Sequence, residues 1–163
     1  MSKEAFLLSK TFIDSSELEN SIEQIANKLH FNYQNKKNDR FNEHVVNNPR
    51  TSETLEVFIS DYKQFIASQN PPYSFIPGSG NGYVIVIGYG WGNKDEQVLI
   101  PFVRELMKEF PELILYAEEW IPTQFFPYLQ FSLDDLLVYE GTSSDNFLFN
   151  IPYQKELEKQ KNK

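Results

Sequence analysis

The chain has 163 residues, no cysteine and a formal net charge of −8. That length supports one hydrophobic core, and the missing thiols exclude both disulfides and thiolate metal sites. The acidity disfavours nucleic acid and anionic membrane as partners, and no apolar run reaches bilayer length, so the expected setting is the cytoplasm.

In chain order, residues 5–13 (AFLLSKTFI) predict a strand that ends at the turn-like Asp14-Ser15-Ser16. A helix over 16–30 follows, capped near Ser15 or Ser16. Leu18, Ile22, Ile25, Ala26 and Leu29 form its apolar face. His30 closes it, where partial positive charge suits the helix dipole. Residues 32–48 are polar and Asn-rich, and predict a long loop that contains His44. Over 52–67, Leu55, Phe58, Ile59, Tyr62, Phe65 and Ile66 recur at intervals of three and four, which favours a helix. The alternation Leu55-Val57-Ile59 leaves a strand open over the first half.

Residues 69–82, dense in Pro and Gly, predict a connector. Residues 83–89 (YVIVIGY) are the clearest strand, and their unbroken apolar run implies burial on both faces. A glycine turn over 88–92 leads to a helix over 96–110, with Leu99, Phe102, Val103, Leu106, Met107 and Phe110 as its buried stripe. Pro101 fits there only in the first turn or at a kink. Residues 113–117 (LILYA) predict a second buried strand. The spacing suits either a parallel crossover or the second half of a split βαβ unit. A short helix near 133–139 is announced by Ser132 and Asp135, and 146–151 reads as an edge strand. The expected architecture is therefore a single α+β domain over 1–153. Its central sheet (strands near 5–13, 83–89 and 113–117) is packed by helices near 16–30, 52–67, 96–110 and 133–139. A charged tail occupies 154–163. Fourteen Phe and nine Tyr point to a core built on rings.

Motifs for chemistry are few. The two histidines, His30 and His44, lie in no metal-ligand spacing, and no G-x-S-x-G elbow is present. Gly88-x-Gly90-x-Gly92 has its third glycine one residue early for a dinucleotide turn. Bulky Tyr89 and Trp91 fill the intervening places, and Asp95 and Glu96 would repel phosphate. Glu118 and Glu119, adjacent on a strand, point to opposite faces and cannot form an acid/base dyad. Asp134 and Asp135 are explained by helix capping. The expectation is a protein without catalytic role, cofactor or metal.

The acidity is local. Residues 95–145 hold eleven carboxylates against Arg104 and Lys108, a local net charge of −9. Aromatic residues stand among those acids, a combination that suits a basic protein partner. The candidate partner-binding residues are Tyr89, Trp91, Asp95, Glu96, Glu118, Glu119, Trp120, Asp134 and Asp135. On this acidic, cysteine-free α+β body, the stretch VIVIGYGWGNKDEQVLIPFVRELMKEFPELILYAEEW resembles bacterial immunity proteins of toxin–immunity pairs. The resemblance covers about a quarter of the chain and rests on no family-wide motif. It implies a non-catalytic inhibitor that binds a toxin domain, often a basic nuclease, and carries over no individual residue. Two other readings stay open: a small enzyme or ligand-binding domain with a pocket beside the Gly88–Gly92 turn, and an assembly subunit.

Overall fold

A computed structural model of the chain describes residues 2–9, 11–39, 42–64, 82–90, 98–117 and 129–137. Among these residues seven strands form one sheet: β1 (Ser2–Ser9), β2 (Asn32–Lys37), β3 (Asn42–Asn47), β4 (Thr54–Asp61), β5 (Tyr83–Gly90), β6 (Leu113–Ala117) and β7 (Leu129–Phe131). Their order is β2-β3-β4-β5-β1-β6-β7, and every neighbouring pair is antiparallel. Helices among the described residues include α1 (Ser15–Lys28), α2 (Leu99–Glu109) and α3 (Leu133–Leu137). The fold is α+β, as the sequence predicts.

Because β5 and β6 are each antiparallel to β1, they run parallel to one another with β1 between them. With α2 joining them, this is a split βαβ unit, the second of the two arrangements the spacing allows.

Alternation on the strands sorts the side chains into two layers. Ala5, Leu7, Leu55, Val57, Ile85, Ile87 and Leu115 face α1 and α2. They pack against Leu18, Ile22 and Ile25 of one helix and Phe102, Val103 and Leu106 of the other. On the opposite face Phe6, Leu8, Val84 and Tyr116 form a smaller buried cluster, flanked by Tyr62, Val86 and Ile114. β1 and β5 are thus buried on both faces, as the apolar run of β5 implies. Each fully buried Leu, Ile or Phe contributes about 1.5–3 kcal/mol by leaving water.

Five expectations are corrected. Residues 54–61 are a strand and 62–64 are helical, while 65–67 lie outside the described residues. Leu55 and Val57 are fully buried on the helix side and Ile59 packs beside them, while Phe58 is half-buried on the other side. An interior strand with apolar residues on both faces reproduces helical spacing by coincidence, and pairing to β3 and β5 decides the outcome. Residues 32–37 and 42–47 are not a loop but β2 and β3, the antiparallel arms of a hairpin. β1 stops at Ser9, where the Ser9 Oγ accepts the Thr11 amide at 3.0 Å and turns the chain. The cap of α1 is Asp14, whose Oδ1 accepts the Ser16 amide at 2.8 Å. Finally, Gly88 and Gly90 are ladder residues of β5, paired with Glu4 and Ser2, so no turn begins at Gly88.

The end of α1 and the start of α2 follow from their sequences. After α1, the His30 amide donates to the Asn27 carbonyl and the Phe31 amide to that of Ala26, a Schellman closure. It places His30 at φ 60°, the left-handed region that glycine ordinarily fills. In α2, Pro101 is the third residue, within the first turn, where no intrahelical donor is needed. α1 starts at Ser15 rather than 16; residues 69–81 of the connector, 91–92 of the glycine turn, 96–97 and 138–139 of the predicted helices, the 146–151 strand and the 154–163 tail lie outside the described residues. Among the described residues no helix is long and apolar enough to cross a membrane.

Candidate functional site

The parallel relation of β5 and β6 sets their C-terminal ends at the same edge of the sheet. Ile87 and Ala117 both oppose Ala5, so the two chains stand two strand spacings apart there, roughly 10 Å. Tyr89 lies on β5 two residues beyond that level, opposite Lys3 and Leu55. Trp91 follows β5, and Glu118, Glu119 and Trp120 follow β6, in sequence; these four, with Asp95 and Glu96, lie outside the described residues.

Asp134 and Asp135 belong elsewhere. β7 runs back from this edge, from Leu129 opposite Ala117 to Phe131 opposite Leu115, and α3 begins beyond it. The Asp135 Oδ2 accepts the Ser132 amide at 2.8 Å, and the Asp135 amide donates to the Ser132 Oγ at 3.4 Å. This is the reciprocal capping that the sequence signals. Asp134 in the same first turn is exposed.

Part of the acidic stretch is neutralised internally. Glu105 on α2 accepts Lys28 Nζ of α1 at 2.7 Å and Lys108 Nζ at 3.1 Å, and the Ser21 hydroxyl donates to Glu109 at 2.6 Å. Lys28, Glu105, Lys108 and Glu109, with Gln24 and Ile25, line a surface groove of about 320 Å³ between the two helices. The hydrogen bond from Lys28 holds the Glu105 carboxyl below its usual value of 4.5, against the opposing effect of burial. A depressed carboxyl pKa stabilises the fold above the unfolded value, and the contribution is lost as pH falls through the folded one. Glu105→Gln should therefore lower stability at pH 7 by up to about 1 kcal/mol, less in high salt. The difference from wild type should disappear in urea titrations well below pH 4.5.

The densest polar arrangement is one that sequence reading assigns to a loop. His44, on β3, is buried against α1. Its Nδ1 lies 2.8 Å from the Tyr33 hydroxyl and 3.1 Å from Asn35 Nδ2, both on β2, with the Tyr33 ring stacked at 6.0 Å. Asn35 Nδ2 also donates to Asn42 Oδ1 at 2.9 Å, and Asn42 Nδ2 donates to the Glu19 carboxylate on α1. A carboxylate only accepts, so Glu19 fixes the Asn42 amide. Asn42 in turn fixes Asn35, whose N–H must point at Nδ1. The imidazole is thereby the Nε2–H tautomer, with Nε2 3.9 Å from Glu19 Oε1. Burial pushes the His44 pKa down, with Glu19 and Glu23 opposing, and burial pushes the Tyr33 phenol up. The ring nitrogen that could act as a base is thus already engaged by two donors. The signal for this network was the alternation Tyr33/Asn35 and Asn42/His44, which becomes visible only once the hairpin register is known.

Among the described residues no cluster of His, Asp and Glu could hold a metal ion. No protein-family model, curated protein or solved structure matches the chain.

Proposed function

We propose that this chain is a non-catalytic, acidic binding protein of the immunity type, which neutralises a basic toxin domain by occupying its active face. The observation that carries the reading is the local net charge of −9 over residues 95–145, flanked and punctuated by Trp91 and Trp120. Carboxylates steer a basic partner toward the surface, and large rings supply the area that holds it there. Support also comes from topology: the segments bearing Trp91 and Glu118-Glu119-Trp120 leave β5 and β6, whose C-terminal ends share an edge.

The test is titration of the purified chain with the product of the neighbouring gene, by calorimetry and surface plasmon resonance. Saturable binding is expected, with an association rate that falls steeply as salt is raised. The triple change Glu118→Lys, Glu119→Lys, Trp120→Ala should weaken it by about 30-fold or more, the scale of a hot spot. Undiminished binding by that variant, or none by the wild type, would refute the reading.

A further inference from the structure

We propose that the β2–β3 hairpin is an acid-released latch, held on α1 while His44 is neutral and freed when its imidazole takes up a second proton. Among the described residues β2 is the end strand of the sheet and pairs with β3 alone, and Tyr33 is its one side chain that is not exposed. The hairpin's polar attachment to α1 runs through the chain Glu19–Asn42–Asn35–His44. A proton on Nδ1 would face the Asn35 N–H, donor against donor. The Tyr33 hydroxyl can rotate to accept it, but Asn35 can invert only if Asn42 inverts and leaves Glu19. Relief therefore requires either surrender of the bond to α1 or movement of the hairpin.

The charged groups around the ring do not cancel this. From α1, Glu19 and Glu23 favour the imidazolium. From β2, Tyr33 stays neutral, and Lys37, on the same face opposite Asn42, opposes a second positive charge. From β4, the partner residue is Val57, flanked on that face by Leu55 and Ile59, none of them charged. Burial outweighs the two carboxylates, so the folded value lies below the ordinary 6.5. The sign follows: stability from neutral His44 is present above 6.5 and is lost as pH falls below it toward the folded value.

Amide hydrogen exchange on the full chain at several pH values between 7.5 and 5, corrected for intrinsic exchange rates, tests this. Opening of β2 and β3 should increase as pH falls below 6.5, by at most about tenfold per pH unit, the limit for one proton. β1 and β5 should keep their protection. His44→Gln, which retains an acceptor for Asn35, should flatten the dependence. Asn42→Ala, which removes the bond to Glu19 and leaves the Asn35 amide free to invert, should flatten it as well. Protection of β2 and β3 that does not change with pH overturns the latch. So does an unaltered dependence in either variant, or equal loss from β1 and β5.

Discussion

Phe102→Ala is expected to lower the unfolding free energy by about 3–5 kcal/mol, the range for deleting a buried aromatic ring. Phe102 is fully buried on α2, and its amide makes the helix's first backbone bond, to the Val98 carbonyl at 3.2 Å. The ring sits in the core between the helices and the sheet, where Leu7, Ile85, Ile87 and Leu115 also point. Close-packed surroundings on a sheet collapse only partly around the space left, so the lost transfer energy and the cavity add. Phe12→Ala is the control. That ring is 64% exposed and touches Tyr83 at a centroid distance of 6.0 Å, so its loss should move stability by no more than about 0.5 kcal/mol. Urea unfolding of both variants decides the matter. A cost below about 1 kcal/mol for Phe102→Ala would contradict the packing of α2 on the sheet.

Arg104→Ala should cost about 2–3 kcal/mol and loosen α3 before the rest of the fold opens. Arg104 is only 9% exposed, and its Nε donates to the Leu136 carbonyl at 3.0 Å. α3 has five residues, far too few to be helical alone, so it depends on its cap and on its contacts with α2. Truncation removes both the donor to a buried carbonyl and the packed aliphatic stem. Arg104→Lys should restore little, because an ammonium at the end of a flexible stem does not reproduce a guanidinium Nε–H. Limited proteolysis at 133–137, with urea unfolding alongside, measures the effect. A variant as stable and as resistant as wild type would rule it out.

Arg104 also illustrates how charge misleads when read along the chain. By sequence it is one of two cations set against eleven carboxylates, a surface residue by default. In the fold it is buried structure, and Glu105 beside it is matched by Lys28 from a distant helix. The effective acidity of this region therefore depends on pairing across elements, to which composition is blind.

Elements whose periodicity had a single interpretation were legible from the residues. α1 and α2 present one continuous apolar stripe each, β5 and β6 are uninterrupted apolar runs, and the capping box at Ser132–Asp135 is where its pattern says. Of the candidate partner residues, Tyr89, Asp134 and Asp135 have a place in the described fold, and the last is committed to capping. Trp91, Asp95, Glu96, Glu118, Glu119 and Trp120 are located only by the strand ends that precede them.

What the sequence alone determined was local: helical stripes, buried strands, caps, the absence of thiols and the position of the acids. Each of these depends on residues within a few places of one another, so one chain is enough to read them. What the tertiary structure decided was non-local. Residues 54–61 satisfy both the two-residue and the three-to-four-residue period, and only neighbours on either side made them a strand. The Asn-rich hairpin has too few apolar residues to declare itself. Its polar side chains find partners in one another and in Glu19, which is 23 positions from Asn42. Polar satisfaction of that kind carries no sequence period, so the network around His44 came into view only when the strands were paired.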